Sequence, residues 1–311
     1  MKRENLKIFL AAGSAEGFVS HFPNCYDVEA GYKTYIIKGG PGTGKSTFMK
    51  RVLKLATERK LLCTEVYCAS DPLSLDGLLI PEIKTVFMDG TAPHVVEPQF
   101  VGVCETLLDF GRFWDGEKLR KRSDEIIAAT KENKDCHSRA AKLIKKAGRL
   151  FPEDFSREGA GAELVSKHIP ERGGKGRMTR AFLGGITPSG LKYFDGPTSS
   201  TAVTLDGRDA DGILKSLVLA AEGRGFDGFV FENPILPYLT DGLYVPELNL
   251  FVRKKSFIPK DERIDLLLEC AAEEIAKAKE IHDRLEAFYI KAMNFESLSD
   301  FCDEEIGKIF G

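Results

Sequence analysis

The stretch Gly39-Gly40-Pro41-Gly42-Thr43-Gly44-Lys45-Ser46 meets every fixed position of the pattern G-x-x-x-x-G-K-[ST], and its flanks restrict the fold further. The apolar run Tyr35-Ile36-Ile37 before it reads as a strand, and Thr47-Phe48-Met49-Lys50-Arg51-Val52-Leu53 after it as a helix. Glycines let successive backbone N–H groups turn inward, and the start of a helix adds a positive dipole end, so strand, loop and helix in this order suit an anionic phosphate. Strands alternating with helices predict a mainly parallel α/β sheet with helices on both faces. In such a sheet ligands bind beyond the carboxyl ends of the strands.

The loop spacing assigns roles. Gly39, Gly40, Pro41, Gly42, Thr43, Gly44, Lys45, Ser46 and Thr47 are expected to cradle a nucleoside triphosphate. Lys45 supplies a point charge to the β- and γ-phosphates, and the Ser46 hydroxyl is a ligand for Mg²⁺. Asp89 closes the apolar run Val86-Phe87-Met88 and is the expected carboxylate for Mg²⁺ or its water. An Asp opening the turn Asp89-Gly90 is the alternative reading. Asp71, after the expected strand Cys63 to Cys68, is a second candidate, and His94 a loop histidine that either contacts phosphate or lies in solvent.

The chain repeats itself. Pro72-Leu73-Ser74-Leu75-Asp76-Gly77-Leu78-Leu79-Ile80-Pro81-Glu82 aligns with Pro237-Tyr238-Leu239-Thr240-Asp241-Gly242-Leu243-Tyr244-Val245-Pro246-Glu247, identical at six of eleven positions, where residue frequencies predict about one. Phe9-Leu10 with Gly17 matches Phe182-Leu183 with Gly190, and His137 with Arg139 matches His282 with Arg284, in the same order. This indicates a tandem duplication trimmed in its loops. Along the offset that aligns Asp76 with Asp241, Gly44 becomes Asp209, Lys45 becomes Ala210, Ser46 becomes Asp211, Asp89 becomes Lys254, and His94 becomes Pro259. Two carboxylates in place of a lysine and a hydroxyl repel phosphate, so the second module is expected to be degenerate. Asp76-Gly77 and Pro81-Glu82 survive in both copies and are read as turn and capping residues.

The expected organisation is a phosphate-loop module with a helical extension over 1–150, a linker or lid over 151–180, and a degenerate module with its own helical extension over 181–311. In the first module, Ile8 to Ala12, Tyr35 to Ile37, Cys63 to Cys68 and Thr85 to Met88 read as strands, and Val101 to Trp114 as a helix. Glu117 to Leu150 is a long helical pattern, single or a hairpin, with eleven Lys and Arg against five Asp and Glu. Ile264, Leu268, Ala271, Ile275, Ala278, Ile281, Leu285 and Phe288 mark one apolar helix face in the second copy. The linker carries Arg172, Arg177 and Arg180, either a solvated basic segment or the source of an arginine finger.

A net charge of −3 in 311 residues gives no general attraction to nucleic acid or acidic membranes, and no nucleic-acid motif accompanies the basic helix. Seven scattered cysteines, none in C-x-x-C spacing, suggest neither a disulfide framework nor a zinc site, and read as reduced thiols. The apolar run near the start, Ile8 to Ala12, is too short for a signal segment or a spanning helix. A cytoplasmic protein is expected.

The combination of Phe9 with Gly17-Phe18, Gly39 to Thr47, Asp71-Pro72 with Ser74-Leu75-Asp76-Gly77, and Asp89-Gly90-Thr91-Ala92-Pro93-His94 resembles a sparsely characterised family of bacterial tandem P-loop ATPases, AAA-like ATP-binding proteins with a duplicated module. The resemblance spans nearly the whole chain. It implies ATP binding by Gly39 to Thr47 and supplies neither a substrate nor a protein partner. The chain departs from a doubly active pattern at Asp209-Ala210-Asp211. The expected function is a Mg-dependent ATPase with one active and one vestigial site. A P-loop small-molecule or nucleotide kinase, with Asp71, Asp76 or His94 orienting an acceptor, and a non-catalytic nucleotide-gated binding protein are the alternatives. No general base for water is identifiable, because Gly90 rather than Glu follows Asp89.

Overall fold

The computed structural model describes residues 5–152, 161–198, 200–207 and 209–311. In chain order the strands are β1 (Leu6–Ile8), β2 (Ala11–Ser14), β3 (Gly17–Ser20), β4 (Lys33–Lys38), β5 (Thr64–Tyr67), β6 (Leu75–Ile80), β7 (Thr85–Asp89), β8 (Glu105–Asp109), β9 (Met178–Ala181), β10 (Gly184–Thr187), β11 (Gly190–Tyr193), β12 (Thr201–Leu205), β13 (Gly228–Glu232), β14 (Thr240–Val245) and β15 (Leu250–Lys254). The helices are α1 (Lys45–Glu58), α2 (Gly116–Arg120), α3 (Ser123–Gly148), α4 (Ala162–His168), α5 (Ala210–Gly223), α6 (Glu262–Ile290) and α7 (Phe295–Phe310). The fold is mixed α/β, with no closed barrel among the described residues. No helix among them is long and apolar enough to cross a membrane.

Two compact units emerge, each built from two pieces of chain: Tyr26–Arg139 with Glu273–Gly311, and Met1–Cys25 with Ala140–Ala272. This interleaved division differs from the contiguous one read from the sequence. The reason is visible at Phe9 and Phe182, which exchange backbone N–H to carbonyl bonds of 2.8 Å in both directions and so tie the first strands to the later ones. Part of the expected linker is ordered as α4 and the start of β9, while 153–160 lies outside the described residues, as do 1–4.

The unit holding the glycine loop has the strand order β5-β6-β7-β4-β8. β4 runs parallel to β7 and to β8, whereas β6 is antiparallel to β5 and β7. α1 turns Phe48, Met49, Val52 and Ala56 inward at helical spacing, against Leu78, Ile80 and Phe87 of the sheet and Leu298, Cys302 and Ile306 of α7. Burying each of the larger side chains stabilises the fold by about 1.5–3 kcal/mol. The Phe48 ring meets Phe87 and Phe110 edge-on at 5.8 and 5.6 Å, anchoring the helix on the strand end beneath the loop.

The expected helix over Val101 to Trp114 is instead the strand β8 followed by a 3₁₀ turn at Phe110–Phe113. Glu105 is buried and its carboxylate accepts the N–H groups of Gln99 and Phe100 and the Tyr26 hydroxyl, which pins the segment extended beside β4. Tertiary pairing has overridden local helix propensity here. The Asp109 carboxylate then accepts the Gly111 N–H and opens the turn. Asp76 and Gly77, expected in a turn, lie inside β6. Pro81-Glu82 does occupy a turn, where the Glu82 carboxylate accepts the Leu62 N–H.

The other unit has the order β12-β15-β14-β13-β9, with β12 parallel to β15, β13 parallel to β9, and β14 antiparallel to β13 and β15. Several of its features recur from the first at matching offsets. α1 begins at Lys45 and α5 at Ala210, an offset of 210 − 45 = 165. The pair Gly77 with Met88 in β6/β7 recurs as Gly242 with Arg253 in β14/β15, and the irregularity at Val66/Tyr67 recurs at Phe231/Glu232, both at that same offset. The hairpins β2/β3 and β10/β11 also match in length and register, Ser14 facing Gly17 and Thr187 facing Gly190.

Glu117 to Leu150 resolves into the short α2 and one long helix, α3. Within the loop-bearing unit, Ala129 and Cys136 of α3 pack on Ala278, Ile281 and Leu285 of α6. The Asn133 amide donates to the Ala278 carbonyl at 2.7 Å, and Arg139 pairs with Glu274 and Arg284 with Glu132 at 2.6 and 2.7 Å. The arginines shared by the two copies therefore make structural contacts. Four cysteines, Cys25, Cys63, Cys136 and Cys302, are buried, and all seven are free thiols. Burial pushes Cys25 and Cys63 up to about 12, so these thiols are inert at neutral pH.

Candidate functional site

The loop takes its shape from its glycines at specific points. Gly42 and Gly44 have φ of 67° and 86°, a left-handed backbone that side chains disfavour, and Gly44 is the residue from which α1 starts. At Gly39 a Cβ would stand 2.6 Å from the Thr43 hydroxyl, which itself donates to the Gly40 carbonyl at 2.8 Å and closes the loop. The first turn of α1 leaves backbone N–H groups that no residue inside the helix can satisfy, and they open toward the loop.

Lys45 donates to the carbonyls of Gly39 and Gly40, each at 2.9 Å, and its ammonium lies 3.5 Å from Asp89 Oδ2. Both side chains are largely buried. Asp89 ends β7 directly beside β4, with Ile37 opposite it in register. Its Oδ1 accepts both the N–H and the hydroxyl of Thr91, so Asp89 opens a turn and also faces the lysine. The turn reading of Asp89 is met by these bonds, and its other oxygen faces Lys45. Ser46 Oγ accepts the Leu75 N–H at 2.9 Å, which orients the hydroxyl from the neighbouring strand and leaves it a further lone pair.

Behind this pair lies a buried histidine. His94 Nε2 is 3.2 Å from Asp76 Oδ2, both side chains nearly excluded from water. Burial works against the imidazolium, but the hydrogen bond and charge of Asp76, with the charge of Asp89, outweigh it and raise the His94 pKa above its usual value despite nearby Lys45. The loop histidine of the sequence reading is therefore neither solvated nor isolated. Asp71, the alternative metal carboxylate, pairs instead with Lys279 at 3.6 Å.

A wall of the site comes from a distant part of the sequence. A Cβ at Gly40 would sit 2.7 Å from the Tyr289 ring, and one at Gly42 would sit 3.0 Å from the Glu286 carbonyl and from Ile290. Tyr289 also contacts Trp114, ring centroids 5.6 Å apart. Glu286 lies 3.5 Å from His282 Nε2. His282 first, with Lys279 and the Gly42 N–H, holds its carboxyl below the usual range against partial burial. Lys279, His282, Glu286 and Tyr289 share one face of α6 at spacings of three and four, a periodicity that the sequence displays without indicating what it faces.

In the second unit the corresponding positions are closed by their own charges. Asp211 replaces Ser46 and accepts the Thr240 N–H at 2.6 Å, as Ser46 accepts that of Leu75. Lys254, in the place of Asp89, lies 3.4 Å from Asp211 and 3.9 Å from Asp241, and Lys215 pairs with Asp211 at 2.6 Å. The expectation that Asp209 and Asp211 repel phosphate is thus corrected for Asp211, which is buried and paired with Lys215 and Lys254, while Asp209 merely precedes α5. Asp241, the partner of Asp76 in the repeat, is held by Asn233 at 3.1 Å.

The linker arginines are engaged within the second unit: Arg172 with Glu247, Arg177 with the Asn24 carbonyl at 2.9 Å, and Arg180 with Glu232. Glu232 also binds His21 at 2.8 Å. These contacts hold all three within their own unit, an outcome that neither reading of the linker anticipated.

The loop residues have the chemistry to hold a magnesium–nucleotide ligand: a glycine cradle, the lysine and hydroxyl that open α1, and a carboxylate at the end of β7. No group of three or more His, Cys, Asp or Glu among the described residues is placed to hold a metal by itself. Magnesium on a phosphate loop needs fewer protein ligands, since it retains waters and uses phosphate oxygens. No family model matches the chain, and neither does any curated protein or solved structure.

Proposed function

We propose that the chain is a Mg-dependent ATPase built by tandem duplication of a P-loop module, with one working nucleotide site at Gly39 to Thr47 and one site closed by an internal salt bridge. The observation that carries this reading is the juxtaposition of Lys45 and Asp89 at 3.5 Å, at the ends of adjacent parallel strands, beside a loop fitting G-x-x-x-x-G-K-[ST]. The equal offsets of strand register support the duplication, and the resemblance to tandem P-loop ATPases agrees with both. The free cysteines suit a reducing compartment such as the cytoplasm.

In this reading the N–H groups of the loop and of the first turn of α1 bind the phosphates, and Lys45 leaves the Gly39 and Gly40 carbonyls to meet β- and γ-oxygens. Ser46 and Asp89 would hold Mg²⁺, which when bound neutralises developing phosphate charge. The Asp76–His94 pair stiffens the wall behind Asp89. Phosphoryl transfer needs mainly positioning and charge, and these residues provide both.

Calorimetric titration with ATP and Mg²⁺, paired with phosphate release, tests the proposal. The unaltered chain is expected to bind one equivalent. Lys45→Ala should abolish binding or turnover, and Ala210→Ser should change neither. Two bound equivalents, or equal damage from the two substitutions, refutes the asymmetry. Turnover appearing only with an added acceptor assigns the site to a kinase, and binding without turnover to a nucleotide-gated binder.

A further inference from the structure

The helix face lying on the glycine loop belongs to the second copy, and it differs in composition from the matching face of α3. At the spacing that pairs His137 with His282, Lys134 corresponds to Lys279, Ala141 to Glu286 and Ile144 to Tyr289. That alignment has a physical anchor, because Asn133 hydrogen-bonds the carbonyl of Ala278, its own counterpart in α6. Ile144 is buried, and its methyl lies 3.7 Å from the Cβ position of Gly13 in the hairpin β2/β3. On α3, then, the equivalent positions are apolar, with Ile144 packed in the core and Ala141 partly buried. On α6, whose face meets the intact loop at Gly40 and Gly42, they are a carboxylate and a phenol. An interior packing role would be served by Ala and Ile in both helices. The lysine and histidine are common to the two helices, so Glu286 and Tyr289 are what distinguish the one that covers the working loop.

We infer that Glu286, contributed by the second copy and steadied by His282, is the carboxylate that activates water at the phosphate loop. Gly42 occupies the fourth position of the loop, and Lys45, three residues on, is the group that reaches the β- and γ-phosphates. In the step assigned to Glu286, the water oxygen forms a bond to the γ-phosphorus and the bond from the γ-phosphorus to the β–γ bridging oxygen breaks. The bonding pair leaves on the β-phosphate of ADP, and the water proton passes to a Glu286 carboxylate oxygen. Glu286 is half-buried, so water can reach it, and its carboxyl is held in the ionised form that a base requires. Tyr289, against Gly40 and Trp114, seats the helix that carries it. The degenerate copy is retained, on this account, because the working site is incomplete without its helix.

The inference rests on the ATPase reading, and the experiment separates the two. Glu286→Gln keeps the shape of the side chain and removes its basicity. In the full-length chain, single-turnover phosphate release should fall about 100-fold, while the dissociation constant for ATP with Mg²⁺ changes by less than about threefold. Glu286→Asp should recover part of the rate. Unchanged turnover in Glu286→Gln overturns the inference. So does a proportional loss of ATP affinity, which makes Glu286 a binding or packing residue, and so does tighter binding at an unaltered rate, which makes it only an anion competing for the loop. Normal turnover in both the unaltered chain and Glu286→Gln overturns the inference alone, whereas absence of binding or of any turnover in the unaltered chain overturns the ATPase reading as well.

Discussion

Replacing Asp241 with Asn removes a buried titrating carboxyl from the second unit, and the stability of the protein should register it through pH. Asp241 lies in β14 with almost no exposure, beside Asp211, Asn233 and Lys254. Burial pushes its carboxyl up from 3.8 to about 7, with Lys254 and Asn233 only partly offsetting the effect and Asp211 adding to it. The folded chain therefore holds a proton that the unfolded chain has released, and stability falls as pH rises from the unfolded value toward the folded one. Linkage puts the loss at about 1.4 kcal/mol between about pH 6 and about pH 8 for a group titrating midway between them. Asn cannot titrate, still accepts a hydrogen bond and has nearly the same volume. Urea unfolding of both proteins at the two pH values measures the effect: the difference in unfolding free energy, variant minus parent, should rise by about 1.4 kcal/mol at the higher pH. A difference independent of pH, or one that shrinks as pH rises, refutes the reasoning, because Asp241 would then be ionised throughout or no more buried than in the unfolded chain.

Other substitutions probe the rest of the construction. Lys254→Met leaves Asp211 with Lys215 alone and Asp241 without a cation, and should lower unfolding free energy by about 3–5 kcal/mol in urea titration; adding Asp211→Asn should restore part of it. Asp89→Ala should keep the melting profile but cut Mg-dependent turnover about 100-fold, whereas Asp71→Ala, which removes one carboxylate from Lys279 and leaves it Asp283, should leave turnover near that of the parent. Gly40→Ala drives a methyl into the Tyr289 ring and should destabilise by about 1–3 kcal/mol. That penalty should largely vanish in a Tyr289→Ala background, and a penalty that persists would show that Gly40 is required by the loop backbone instead.

The parts of this architecture that local chemistry determines could be read from the chain. The strand, loop and helix around Lys45 follow from a glycine run between an apolar triplet and an amphipathic segment, and the repeat is visible because Asp76-Gly77 and Asp241-Gly242 sit in equivalent strands. What escaped reading depends on partners far away in sequence. β8 looks helical until Glu105 finds the N–H groups of Gln99 and Phe100 and the edge of β4. Asp76 looks like a turn residue until His94 arrives to pair with it. Asp211 reads as a bare repelling charge because nothing near it announces that Lys254 has been brought in from β15. Tyr289 and Glu286 have no motif at all, only a helical spacing whose meaning lies in the loop they touch.

The ring of Tyr289 rests on Gly40, and 289 − 40 = 249 residues separate them. Proteins are made from the amino end, at about 5–20 residues per second in bacteria. A ribosome-bound chain carrying a finished glycine loop thus waits for those further 249 residues to emerge before the wall of that loop exists. If the ATPase reading holds, a nucleotide arriving early finds half a binding site and cannot stabilise the nascent protein by mass action until Tyr289 has emerged.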